Sequence, residues 1–180
     1  MKNSFLILLL TLLVSCINAE KKDVQIRKRT EINSIQKHVV KTRLEQNTLQ
    51  TINAWKEYTT VDDHLKKFTA ISANEALNNA IQLTKSVKLM KDSIRPKELV
   101  NPSFRARINV LENEALRLKD MTFIPAITAN EINLQVDKIM EAFSATNSKI
   151  NTIYSQLEVE KEIETNTTIK KIPLQKTRKN

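Results

Sequence analysis

The sequence predicts an all-α protein, an antiparallel up-down-up-down four-helix bundle with long helices. Three observations carry that expectation. Glycine is absent from all 180 residues and proline occurs four times, whereas a sheet protein relies on glycine at hairpins and bulges. Aromatic residues make up only 4% of the chain, so Ile, Leu, Val and Ala must supply most of the core. Those residues recur at alternating spacings of three and four, the a/d seam of bundles and coiled coils.

The first helix is marked by Ile32, Ile35, Val39, Thr42, Gln46 and Leu49, flanked by Ile52 and Trp55. It is expected to end near Tyr58-Thr59-Thr60 and to form a tight antiparallel hairpin with the second. The second seam runs Val61, Leu65, Phe68, Ser72, Ala76, Ala80, Leu83, Val87, Met90 and Ile94. Thr60 and Asp63 have the spacing to cap its start, and Pro96 stops it. Asn101-Pro102 opens a shorter third helix, with asparagine as N-cap and proline at the first helical position. Its stripe is Phe104, Ile108, Leu111, Ala115 and Leu118, and it runs out before Pro125.

The fourth helix has the clearest pattern: Ile132, Val136, Ile139, Phe143, Thr146, Ile150, Ile153 and Leu157. Thr128 and Glu131 form a capping box in which each side chain satisfies an orphan backbone N–H. From Thr128 to about Glu164 this helix would span about 55 Å at roughly 1.5 Å per residue. The four seams place the 58–60 hairpin and the 121–127 loop at one end. The N-terminus, the 95–101 loop and the C-terminal tail fall at the other. Trp55, Tyr58, Phe68, Phe123, Ile124 and Ile127 then gather at the first end, either as a plug closing the bundle or, through Trp55, Tyr58 and Phe123, as a partner patch.

The formal net charge is +9, but it is not spread evenly. Residues 17–30 hold five basic and two acidic residues. Residues 165–180 hold Lys170, Lys171, Lys176, Arg178 and Lys179 with no acid, and residues 31–164 are balanced at 18 of each sign. A neutral body argues against a nucleic-acid-binding face. Residues 165–180 are polar, basic and aperiodic, the composition of a disordered tail. Its cations are candidates for contact with anionic lipid headgroups or lipopolysaccharide phosphates.

Catalytic parts are scarce. The two histidines, His38 and His64, lack the Glu-x-x-His spacing of di-metal bundles. There is no Cys-x-x-Cys-His, no Gly-x-Ser-x-Gly and no glycine-rich phosphate loop. No catalytic residue, metal ligand or cofactor is therefore assigned, and the chain is expected not to be an enzyme. Ser72, Thr42, Gln46 and Thr146 interrupt the seams, either as a polar layer that fixes register or as the lining of a small pocket.

The N-terminus carries the most specific motif. Lys2 precedes an apolar run from Phe5 to Val14 broken only by Thr11, too short to cross a bilayer and of signal-peptide proportions. The run closes on Leu13-Val14-Ser15-Cys16, which contains the chain's one cysteine and resembles the lipobox of bacterial lipoproteins. The resemblance implies that the Cys16 thiol is alkylated with diacylglycerol, that residues 1–15 are removed, and that Cys16 becomes an amino-terminal membrane anchor. Ile17-Asn18-Ala19 offers the alternative of an ordinary secretory cleavage site, with a secreted or periplasmic product. Ile17 also lacks the aspartate that marks inner-membrane retention in the enterobacterial version of the family, which favours the outer membrane.

The expected organisation is thus a signal peptide (1–15), a lipidated tether (16–30), a helical domain (31–164) and a basic tail (165–180). The function expected is a non-enzymatic envelope lipoprotein acting as a structural, adaptor or interaction module toward an unidentified envelope protein. The alternative is a periplasmic carrier of a small ligand, haem or metal.

Overall fold

A computed structural model describes residues 31–171, with side chains described through residue 167. The expected signal peptide and tether (1–30) and residues 172–180 of the expected basic tail lie outside the described residues. The described chain is mostly helical and carries one small sheet. Its elements are β1 (Ile35–Lys37), α1 (Gln46–Ile52), α2 (Lys56–Phe68), β2 (Ala70–Ser72), α3 (Ala73–Asp92), a 3₁₀ turn at Lys97–Leu99, α4 (Pro102–Met121) and α5 (Ala129–Lys171). β1 and β2 pair antiparallel, with Ile35 opposite Ser72 and Lys37 opposite Ala70.

The C-terminal half follows the seams closely. Asn101 caps α4 by accepting from the Phe104 amide at 2.9 Å, with Pro102 at the first helical position. Phe104, Ile108, Leu111, Ala115 and Leu118 are all fully buried. The Thr128–Glu131 capping box is formed in both directions. Ile132, Val136, Ile139, Phe143, Thr146 and Ile150 are buried along α5. The helix continues to Lys171, so residues 165–171, which composition assigned to a disordered tail, are helical.

The N-terminal half departs from the pattern twice. No long helix spans 32–58; residues 31–33 are helical, and the chain then forms β1, an extended stretch, the short α1 and the start of α2. The predicted seam is not buried, since Ile35 and Val39 are 68% and 66% exposed. Five of the eleven residues from Ile32 to Thr42 are β-branched, and such side chains lose rotamer freedom in a helix. The second departure splits the expected second helix at Thr69–Ser72. There Ser72 accepts from the Glu75 amide while Glu75 accepts from the Ser72 amide and hydroxyl. This box starts α3 afresh. The seam survives the break, since Val61, Leu65 and Phe68 before it and Ala76, Ala80, Leu83, Val87 and Met90 after it are all buried.

The expected cap at Thr60 is also absent. Thr60 lies inside α2 and its hydroxyl donates back to the Lys56 carbonyl, so Tyr58-Thr59-Thr60 is helix rather than a hairpin turn.

Contacts between helices fix the chain directions. His64 meets Ser86 and Glu57 meets Arg95, so α2 and α3 are antiparallel. Thr84 donates to the Ala115 carbonyl and Lys91 pairs with Glu112, so α3 and α4 are antiparallel. The Gln135 side-chain amide donates to Glu114, and α5 packs along α4. One continuous core joins these helices with Trp55, Ile71 and Leu99.

Candidate functional site

Residues 38–47 lie along α5 as a polar strap. Asp137, Ser144, Asn151 and Glu158 recur every seven residues on that helix, and each holds one point of the strap. The His38 ring donates from Nδ1 to Asp137 Oδ1 at 2.7 Å. The Lys41 amide donates to Ser144 Oγ at 2.9 Å. Asn151 accepts from the Glu45 amide at 3.1 Å and donates to the Arg43 carbonyl at 3.0 Å. The Asn47 amide group donates to Glu158 at 2.7 Å. Asn147 adds a bond from its side-chain nitrogen to the Thr42 carbonyl at 2.9 Å.

The spacing has a geometric basis. Three residues of extended chain, from His38 to Lys41, and seven of helix, from Asp137 to Ser144, each advance about 10 Å. A heptad of polar residues can therefore keep step with an extended strand lying parallel to it. Sequence reading missed this stripe because its residues fall between apolar seam positions and look like a solvated face. Their exact seven-residue recurrence was the available signal.

The strap's direction corrects the expected topology. Glu31 and Ile32 lie beside Pro125–Ala129, with which they line a cavity of about 280 Å³. The described chain therefore enters at the N-terminal end of α5. Strap and α5 run the same way, and α5 is 43 residues long, about 64 Å at helical rise. Glu31 and Lys171 consequently lie at opposite ends, whereas the sequence placed both termini together. The cause is one extra reversal, because the expected second helix is folded at Ser72 into two antiparallel ones.

The expected partner patch is likewise not assembled. Trp55 and Tyr58 are 1% and 3% exposed, and Phe123 is 74% exposed. Trp55 packs against Tyr58 at 5.9 Å and Phe104 at 6.3 Å between ring centroids, and Tyr58 stacks on Phe143 at 5.7 Å. This cluster sits by the start of α4, while Phe123 follows the end of α4, a 20-residue helix spanning about 30 Å. The Tyr58 hydroxyl donates to Asn147 at 2.8 Å. Burial, followed by the Asp62 charge, pushes its pKa far up, so it remains a donor.

Cys16, Lys176, Arg178 and Lys179 lie outside the described residues. Lys170 and Lys171 belong to the last turn of α5, and their side chains are not described. Of the seam interruptions, Ser72 is the α3 N-cap, and the buried Thr146 hydroxyl donates to the Ala142 carbonyl within its own helix. Thr42 lies in the strap, and Gln46 begins α1.

An open cleft of about 450 Å³ separates the strap from α2, with Arg43, Asp62, Lys66 and Tyr58 among its walls. Lys66 bridges Asp62 and Asp63 there, and its hydrogen bond and charge hold the Asp63 carboxyl below its usual range. Among the described residues, no group of three or more His, Cys, Asp or Glu is placed to hold a metal. No described helix is long and apolar enough to cross a membrane. Compared with protein-family models, curated proteins and solved structures, the chain matches none.

Proposed function

We propose that this chain is a non-enzymatic, lipid-anchored spacer of the bacterial envelope, a four-helix bundle of α2–α5 that holds its anchored and free ends apart. The supporting observation is the strap parallel to α5. The chain enters beside the α5 N-terminus at Glu31, and α5 carries it about 64 Å away. With Cys16 acylated, the fifteen residues before Glu31 tie that end to the bilayer. The cations that follow in sequence, Lys170, Lys171, Lys176, Arg178 and Lys179, then serve an anionic partner beyond the anchoring leaflet. This replaces the anchor-side contact that sequence alone suggests.

The experiment uses chain purified from its native host. Intact mass should show acyl chains on residue 16. Spin labels at Glu31→Cys and Lys161→Cys should give a separation of roughly 50 Å from helical rise alone. A separation near the width of a helix pair, about 10–20 Å, would defeat the spacer. A fatty-acid-free mature form beginning at Glu20 would defeat the anchor.

A further inference from the structure

The α4–α5 connection contains Phe123-Ile124-Pro125-Ala126-Ile127, five consecutive apolar residues. Phe123 is 74% and Ile124 is 49% exposed; Pro125 and Ala126 are exposed and Ile127 is half-buried. Single exposed apolar side chains are ordinary on a protein surface, but an exposed run of this length is a liability unless it has a use. Leu134, also exposed, stands beside the same end, where it shares a cleft with Lys37 and His38.

We infer that this loop is a membrane-contacting tip that rests in the headgroup and upper acyl region of an anionic bilayer. The inference rests on the anchored reading, because it is the fifteen-residue link from Cys16 to Glu31 that brings this end to a bilayer. Fully extended, that link reaches about 50 Å. Glu31 and Ile32 share a cavity with Pro125–Ala129, so the link enters the body at the loop itself.

Two features suit the loop to lipid. Most of its amides are satisfied from within: those of Phe123, Ile124 and Ile127 donate to Asp120, Met121 and Ile124 carbonyls, and Pro125 has no N–H to satisfy. An apolar medium penalises unpaired amides, and this tip brings few of them. Lysines share the loop's end with the acids Glu31, Asp120 and Glu131. Lys37 ends β1, Lys67 lies in the last turn of α2 and Lys119 in the last turn of α4, all at the loop's end of the molecule. The excess of positive charge lies in the sequence of the link before Glu31, where residues 17–30 hold five basic and two acidic residues. Apolar insertion joined in sequence to a basic, acylated link is the chemistry of interfacial attachment to an anionic leaflet.

The test places an environment-sensitive fluorophore at Ala126→Cys in the full acylated chain, bound to vesicles of phosphatidylethanolamine and phosphatidylglycerol. Lys161→Cys is the far-end comparison. The expected result is a blue shift and loss of emission with spin-labelled lipid at residue 126 and neither at 161. Phe123→Ser with Ile124→Ser, both exposed and outside the core, should abolish the shift. Vesicle-bound chain with a fully aqueous residue 126 overturns the inference while leaving the anchor intact. A shift at 126 that needs protein concentration but no vesicles overturns it in favour of a second copy. Absence of acyl mass in the same preparation reports instead on the anchor.

Discussion

Asn147 links Thr42 to Tyr58. Its side-chain nitrogen donates to the Thr42 carbonyl at 2.9 Å while its oxygen accepts the Tyr58 hydroxyl at 2.8 Å. One amide on α5 thus ties the polar strap to the aromatic core. Replacing Asn147 with Ala leaves a buried hydroxyl without an acceptor, at an expected cost of about 1–3 kcal/mol. Thermal unfolding should show a lowered Tm, and a cycle with Tyr58→Phe should show the two changes to be non-additive, as contacting residues usually are. Simple additivity would remove the link between strap and core.

The strap should open before the helices. His38 is the one buried residue between residues 31 and 47, and Ile32, Val40 and Leu44 are only partly buried against the core; segments with few buried apolar contacts are the first to unfold locally. Hydrogen exchange should find the Lys41 and Glu45 amides less protected than those around Leu111 in α4. Asn151→Asp keeps the acceptor for Glu45 but turns the donor facing the Arg43 carbonyl into a second acceptor. That variant should speed exchange in the strap and leave α4 unchanged.

Local roles were the more legible part of this fold, although the cap expected at Thr60 is absent and the one at Ser72 was missed. The caps at Asn101 and Thr128 act within one turn, and both were legible. The buried stripe of α4 was legible because every member faces one neighbour. Ile35 and Val39 misled because their spacing satisfies a helix while β-branching and long-range pairing favour extended chain. Ser72 misled in the opposite sense. Placed on an apolar seam, it read as an interruption, although Glu75 three residues later is a start signal. The strap's partners on α5 lie about a hundred residues away in sequence, so its direction, and with it the separation of Glu31 from Lys171, was beyond a periodicity argument. The exposed Phe123 was identified as a candidate, but its supposed companions Trp55 and Tyr58 belong to the core.

His64 gives a pH dependence of definite sign. Burial, followed by the Lys67 charge, lowers its pKa from the ordinary 6.5, and Ser86 Oγ lies 2.9 Å from its Nδ1. The unfolded chain therefore binds a proton at this residue more readily than the folded one, so stability rises with pH across the window. Its contribution is full above 6.5 and is lost as pH falls from there through the folded value. Asp63, Glu75, Asp92 and Glu131 have lowered values through their hydrogen bonds. Their contributions are lost only in more acidic solution, below the ordinary carboxylate range. Denaturant titrations between about pH 7 and pH 5 should therefore show a decline that His64→Gln reduces, a window set by the ordinary histidine value. An unchanged slope in His64→Gln would assign the decline elsewhere.

Ser72 decides how many times the chain reverses, and a pair of substitutions separates its capping role from its burial. Its hydroxyl accepts from the Glu75 amide and donates to the Glu75 carboxylate, while the residue itself is buried between β2 and α3. Ser72→Ala keeps the small volume and the backbone bond to Glu75 but removes both hydroxyl contacts. The expected loss is about 1 kcal/mol, which in a domain of this size lowers Tm by roughly 2–4 °C. Ser72→Thr restores the hydroxyl and should recover most of that loss if the neighbouring Ile71 shifts to admit one methyl group. Thr128→Ala removes the corresponding cap from α5 on an exposed site and should cost a similar amount. The two differ in a second readout. Without the Ser72 cap, exchange should rise at β2 and at the His38 amide, which donates to the Thr69 carbonyl, because the reversal that seats β1 is loosened. Loss of the Thr128 cap should leave those amides unchanged. Equal exchange at His38 in both variants would mean that β1 and β2 hold the reversal without the capping box.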